Sequence, residues 1–415
     1  MRSARRSIFA GAAIALCAVT SAKAGDSDPQ EFTQIERGRY LAVLSDCASC
    51  HTVPGNNQPF AGGRPIETPF GNIVAPNITP DLETGIGSWS DDAFDAAIRK
   101  GLRRNGSRLY PAMPYTAYTK MSRDDVLAIR AYLNTVTPVH NAVVANTLPF
   151  PFNIRASMRV WNALYFKQGG YNADPQKSAE WNRGAFLVDG PGHCGACHTP
   201  KTFLGGDKTE QYLRGGFLQG WSAPDITNDA RVGVGTWSTE DLVAYLKSGH
   251  NRVSAATGPM AEVVSLSTEH MTDPDLKAMV TYLKSLSGKQ DRPEALPKED
   301  PAMAAGSAIY RDQCSACHGL DGKGVAELFP SIADSSMVRS DDPTTSIRIV
   351  LRGARSVGTQ AQPTASGMPS YGRQLSDAQI AAVLTYMRNA WGASAAPVEA
   401  ADVARVRSDT ALRPD

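Results

Sequence analysis

The chain has 415 residues, too many for one compact core, and predicts two to four domains. Its composition is that of an ordinary soluble globular protein, with 42 basic residues against 41 acidic ones. So balanced a charge argues against nucleic acid as a partner.

At the start of the chain, Arg2, Arg5 and Arg6 precede an apolar stretch at residues 8–19 that is too short to span a bilayer. Ala22-Lys23-Ala24 then supplies a small-x-small cleavage site, so residues 1–24 are expected to be an export signal peptide and Gly25 the mature start. Without Arg2, Arg5, Arg6 and Lys23 the basic residues number 38 and the balance becomes −3. Cys17 lies inside the apolar stretch and is assigned no role. After the signal, no run of 18 apolar residues encodes a membrane span.

Two segments then repeat one plan. In residues 36–89 and 182–237, Arg37-Gly38 matches Arg183-Gly184, Pro76-Asn77-Ile78-Thr79 matches Pro224-Asp225-Ile226-Thr227, and Trp89 matches Trp237. A third, shorter unit begins near Pro301. Each unit closes with a helical pattern. Ser122 and Asp125 form a capping signal ahead of Val126, Ile129, Tyr132 and Leu133, and residues 272–286 and 376–389 repeat the spacing. Between the helices the chain is rich in Gly, Pro and Asn, with few strand-like runs. The expected fold is mainly α: in each unit a short helix, a cysteine motif, long irregular loops and a closing helix.

The expected divisions are 25–140, 181–287 and 302–392 as three domains. Residues 288–301 read as a polar, Pro-rich linker, and 393–415 as a C-terminal tail. Residues 141–180 form a connecting segment in which Met158, Trp161, Leu164, Tyr165 and Phe166 recur at helical spacing. That stripe is expected to pack between the first two units. The competing reading is an interfacial or partner-docking surface.

Every cysteine after the signal belongs to a Cys-x-x-Cys-His motif: Cys47, Cys50, His51; Cys194, Cys197, His198; Cys314, Cys317, His318. That pattern attaches c-type haem, the two thiols forming thioethers to the porphyrin and the histidine binding iron. A thioredoxin-like pair needs a strand–helix framework that this chain lacks. A zinc site needs four ligands from paired motifs, and three motifs do not pair off. Cysteines three apart also make poor disulfides. Three covalently bound haem c groups are therefore expected, and a large planar cofactor explains loops too long for a cofactor-free domain.

Position selects the second axial ligands. Met113 and Met260 each lie 62 residues after the motif histidine, and Met368 lies 50 after His318 in the shorter unit. Neighbouring Pro and Gly residues predict extended loops that present these sulfurs. Met121, Met158, Met271 and Met387 take the core reading. His/Met ligation fills both axial positions and points to electron transfer. Pro76, Pro224 and Pro330 are placed to offer carbonyls to the motif histidines. Trp89 and Trp237 are candidates for haem propionates or core packing. His140, His193, His250 and His270 have no repeated position and are given structural or solvent-facing roles.

With these residues in place, the chain resembles the triheme cytochrome c subunits of bacterial membrane-bound dehydrogenases that oxidise alcohols, aldehydes or sugars. The resemblance spans residues 35–392. It rests on Asn77-Ile-Thr-Pro-Asp81, Thr84-Gly-Ile-Gly87, Leu109-Tyr-Pro-Ala-Met-Pro-Tyr115, Gly192-His-Cys-Gly-Ala-Cys-His198 and Gly258-Pro-Met-Ala261. It implies three tandem class I cytochrome c domains on the periplasmic face of the inner membrane. It also implies a catalytic dehydrogenase partner of molybdenum, pyrroloquinoline quinone or flavin type, and delivery of electrons to ubiquinone or a terminal oxidase. Leu148-Pro-Phe-Pro-Phe-Asn-Ile-Arg155 is most similar to cytochromes paired with molybdenum aldehyde dehydrogenases. Relatives often carry an amphipathic C-terminal anchor, whereas residues 393–415 contain no aromatic residue. The competing functions are a free periplasmic multihaem carrier and a peroxidase-type haem enzyme.

Overall fold

The computed structural model describes residues 29–288 and 293–411. The expected signal peptide, Cys17 and part of the 288–301 linker lie outside the described residues.

Each unit is framed by a leading helix laid across a closing helix. The pairs are Pro29–Leu44 with Arg123–Leu133, Ala179–Asp189 with Asp273–Ser285, and Pro301–Gln313 with Asp377–Asn389. The closing helices start where the caps direct. Ser122 and Asp125 exchange side-chain and backbone hydrogen bonds, Ser376 and Gln379 do the same, and Thr272 accepts from Asp275 N. Val126, Ile129 and Leu133 are buried on the first of these helices, and Ile380, Val383 and Leu384 on the third.

The two helices of a pair meet backbone to backbone. A Cβ on Gly38 would lie 1.8 Å from the carbonyl oxygen of Ala128, one on Gly184 1.9 Å from that of Ala278, and one on Gly306 2.2 Å from that of Ala382. Only glycine permits such an approach. In the first two units an arginine beside the glycine secures the crossing: Arg37 donates to Asp125 at 2.6 Å and Arg183 to Asp275 at 2.8 Å.

Short antiparallel ribbons fill part of each loop region: Pro65–Thr68 with Gly71–Val74, Arg214–Leu218 with Trp221–Asp225, and Ala354–Arg355 with Gly367–Met368. At two to five residues per strand, with Gly and Pro inside, they are too brief for period-two alternation to reveal.

The first two units share a single hydrophobic core. Leu41, Met121 and Leu133 from one join Leu187, Leu213 and Leu276 from the other in one cluster. The third unit has a separate core around Ile347, Ile380 and Leu384. The segment read from sequence as a tail is part of that core. Ala400–Thr410 is a helix whose Val403, Val406 and Thr410 are buried, and its Arg407 donates to Asp377 at 2.8 Å.

The connecting segment bridges the first two units. Trp161 on the helix Met158–Tyr165 donates from Nε1 to the carbonyl of Leu204 at 2.9 Å, and its ring meets Tyr115 edge-on. Asn162 donates to the Tyr115 hydroxyl at 3.1 Å. Its outward residues Val160 and Leu164 are exposed.

Gly306→Val forces a side chain into the Ala382 carbonyl and is expected to cost about 3 kcal/mol or more in denaturant unfolding. Gly169→Ala, with no atom near its Cβ position, is expected to stay within about 0.5 kcal/mol.

Candidate haem sites

The chain leaves each of the first two leading helices through a left-handed residue, Asp46 at φ 50° or His193 at φ 36°, placed immediately before the first cysteine. Asp and His are among the non-glycine residues enriched in that region. The turn directs the chain into a short helix carrying the motif: Cys47–His51, Gly195–His198 and, in the third unit, Ser315–His318. Each ends on its histidine. Nδ1 of His51 donates to the carbonyl of Pro76 at 2.7 Å, Nδ1 of His198 to Pro224 at 2.8 Å, and Nδ1 of His318 to Pro330 at 3.1 Å. The three prolines anticipated from sequence therefore fill one role three times. Tying Nδ1–H leaves Nε2 as the nitrogen with a lone pair. Burial lowers the pKa of all three rings despite the carbonyl contact, which keeps them neutral, the ligating form.

Cys317 is exposed, and the other five motif cysteines are partly buried. Burial pushes the thiols of Cys47 and Cys194 up to about 12, and those of Cys197 and Cys314 up to about 11. Thiolate chemistry needs the opposite shift. An uncharged thioether suits such a site. The six cysteines form no disulfides, and the described residues contain no cluster of three or more His, Cys, Asp or Glu side chains able to hold a metal ion.

Cys47, Cys50, His51 and Met113 line one cavity of about 2240 Å³, which runs on to Cys197. Ordinary small-ligand pockets are about 300–1,000 Å³. Ile78, Ile86 and Phe94 give it apolar walls. Met113 lies on a bend between Pro111 and Pro114, packed against the shared core. Met368 is extended, on the strand paired with Ala354–Arg355, and borders the same apolar cluster as Cys314. Met260 departs from the expected extended loop. Gly258, at φ +55°, and Pro259 open the helix Gly258–Leu266, because proline fits a first helical turn, and Met260 packs beside Val264 and Val357. Met121, Met271 and Met387 are core residues as assigned, but Met158 lies on the cavity wall.

Trp237 is buried and its Nε1–H has no partner among the described residues, a donor suited to a propionate. Trp89 lines the cavity. His193 is structural: its ring meets Tyr118 edge-on and its Nε2 lies 3.4 Å from the carbonyl oxygen of Ser45, joining the first two motifs. His250 is buried, while His140 and His270 are exposed.

Sequence reasoning missed a group at this seam. Arg64 donates to the carbonyl of Ser49 inside the first motif and forms a two-pronged ion pair with Glu262, on the helix that carries Met260. Asp46 lies close by. The pair is separated by 198 positions, so no local pattern announces it.

A Cys-x-x-Cys pair followed at once by a histidine tied through Nδ1 is the arrangement that suits a covalently attached haem c. The sequence profile of the cytochrome c family matches residues 35–137, 182–287 and 303–391, and the chain belongs to that family. Its relatives place it with the cytochrome c subunits of dehydrogenase complexes, and the family supports covalently bound haem c. The chain is 40% identical to the gluconate 2-dehydrogenase cytochrome c subunit of Pantoea cypripedii, over 91% of this chain and 90% of that one. It is 39% identical to the cytochrome c subunit of the quinone alcohol dehydrogenase of Gluconobacter oxydans, over 96% and 87%. It is 36% identical to the fructose dehydrogenase cytochrome subunit of Gluconobacter japonicus, over 95% and 88%.

Burial pushes the Asp46 carboxyl up to about 7, with Glu262 adding to the rise and Ser49 and Arg64 opposing it. A carboxyl raised on folding binds its proton more tightly in the native state, so its stabilising share is complete below about pH 4 and is lost as pH rises towards 7. Asp46→Asn, which tolerates the left-handed backbone, is expected to flatten that decline by on the order of 2–4 kcal/mol in unfolding measured from pH 4 to 8.

Proposed function

We propose that the chain is a periplasmic triheme electron-transfer subunit. It would take electrons one at a time from a catalytic dehydrogenase subunit and pass them to ubiquinone or a terminal oxidase. The observation that carries this reading is the threefold recurrence of a histidine whose Nδ1 is tied to a prolyl carbonyl directly after a Cys-x-x-Cys pair. In domains 25–140, 181–287 and 302–392, Cys47 and Cys50, Cys194 and Cys197, and Cys314 and Cys317 would hold haem c as thioethers. His51 and Met113, His198 and Met260, and His318 and Met368 would be the axial ligands.

When bound, such a group supplies a reversible one-electron iron couple whose potential is raised by methionine ligation. The chain's own residues orient it and exclude water. The prolyl carbonyls fix the imidazoles, the apolar walls hold the crevice dry, and Trp237 offers a donor to a propionate.

A dehydrogenase partner is supported by the named relatives, which are subunits of gluconate, alcohol and fructose dehydrogenases. Whether that partner uses flavin, pyrroloquinoline quinone or molybdenum is the finer question that its isolation answers. Filled axial positions disfavour a peroxidase-type enzyme, which needs an open iron.

Two measurements test the proposal. Haem quantitation after alkaline pyridine extraction is expected to give three haems per chain. Met113→Ala, Met260→Ala and Met368→Ala are each expected to remove about one third of the methionine–iron charge-transfer absorption and to lower one midpoint potential. Loss of no absorption in a variant refutes that ligand. Purification from the native host is expected to bring a larger catalytic subunit along, and a chain that always purifies alone supports the free carrier instead.

A further inference from the structure

The residues before the first ribbon wrap the first motif. Gly62 N–H donates to the carbonyl of His51 at 2.8 Å, Gly63 N–H to that of Ala75 at 2.9 Å, and Ala75 N–H to that of Arg64 at 3.0 Å. Gly62 and Gly63 take φ of +73° and +93°. A Cβ on Gly62 would stand 2.4 Å from the backbone of Pro76, whose carbonyl holds His51. Arg64 is therefore placed by the same backbone that orients the motif histidine.

Its side chain crosses to the second unit. One guanidinium nitrogen donates to the carbonyl of Ser49, inside the first motif, and to one carboxylate oxygen of Glu262. The other donates to the second oxygen of Glu262 at 3.0 Å. Such a fork fixes orientation as well as distance. The two side chains are only 22% and 32% exposed, so water screens their charges little. Glu262 lies on the helix Gly258–Leu266, which packs against the motif helix Cys47–His51. Met260 packs beside Val264 and Val357, and Glu262, two residues on, leaves the helix on another side.

Both motifs lie within reach of this group. Burial raises the thiols of Cys50 and Cys197 most. Beyond it, Ser49, Asp46, Arg64 and Glu262 act on Cys50, while Lys201, Cys50 and Asp46 act on Cys197. Lys201 is paired with Asp207, and burial pushes the Asp46 carboxyl up to about 7. Below that pH the Arg64–Glu262 pair remains as a charged group at the seam.

We propose that Arg64 and Glu262 form a charged clasp whose opposite charges offset each other in setting the potentials of the first two haem sites. By Coulomb's law a nearby positive charge favours the reduced form of a one-electron centre and a negative charge the oxidised form. With both charges present at hydrogen-bond distance, their effects largely cancel. The third unit, with its own core, is the internal reference. The inference rests on the proposed triheme reading. Fewer than three haems in the unaltered protein, or no loss of absorption in the methionine variants, fails that reading. Three assigned potentials that ignore Arg64 and Glu262 fail this inference alone.

The experiment is a reductive titration of the full-length haem-loaded protein at pH 6, with the midpoint potentials assigned by the Met113→Ala, Met260→Ala and Met368→Ala variants. Arg64→Gln is expected to lower the potentials of the first two sites, changing their reduced-to-oxidised ratio at a fixed potential about threefold or more. Glu262→Gln is expected to raise them by a similar factor. Arg64→Gln combined with Glu262→Gln is expected to return both towards the unaltered protein. Arg64→Lys with Glu262→Asp keeps both charges and is expected to leave all three potentials in place. Where Arg64→Gln lowers the methionine–iron absorption, Glu262→Gln against the double variant carries the same test of sign. A purely mechanical strut shifts both single variants in one direction and the double variant further, and that result overturns the proposal. So do potentials that no variant moves, or a third site that shifts as far as the first two.

Discussion

At each of the three helix crossings, the carbonyl of Ala128, Ala278 or Ala382 occupies the space where a side chain on the opposing helix would stand. The leading and closing helices are thereby held at backbone contact, and the motif emerges from the end of the leading helix at a fixed place. Between the paired helices lie loops, ribbons and further helices, some of whose side chains, such as Phe94, Leu213 and Ile347, join the cores. What the loops enclose is an apolar space, and the histidine is fixed at its edge by one hydrogen bond to a prolyl carbonyl. The crossing sets position; the carbonyl sets orientation.

The same burial acts on the motif histidines, on Cys47, Cys194, Cys197 and Cys314, and on Asp46. It keeps the imidazoles neutral and these four thiols protonated, and it holds the Asp46 carboxyl far above the usual carboxylate range. These shifts share a cause, desolvation, and at these groups they favour the uncharged form. That is the environment a thioether-linked macrocycle with a neutral imidazole ligand requires, and it is hostile to thiolate-bound metals.

The units are not independent beads. The first two share a core, and their motifs touch through His193 and Ser45. Arg64 ties the first motif to Glu262, two residues from Met260. On the other side of that helix, Val357 of the third unit enters the cluster formed by Ala256 and Val264, and its N–H donates to the carbonyl of Ala256 at 3.0 Å. The second unit is therefore the structural centre. The helix that carries Met260 is braced by a charge from one neighbour and an apolar contact from the other.

The sequence alone determined what depends on residue type and short spacing. The cysteine motifs, the repeat, the capping signals and the prolyl partners of His51, His198 and His318 were all legible, because each is a local pattern or a copy of one. The connecting stripe was legible in part: Trp161 packs between units as its spacing implied, but periodicity could not say that Val160 and Leu164 remain outside. Tertiary structure decided what depends on contacts between distant positions. Met260 lies on a helix because Pro259 fits a first turn, residues 400–410 form a strut because the third core lacked a wall, and the first two units fuse because their apolar faces meet. Arg64 and Glu262, nearly half the chain apart, find each other only when those cores have formed. Local rules fix the cysteine motifs and their prolyl partners, and long-range packing fixes how the three units are held together.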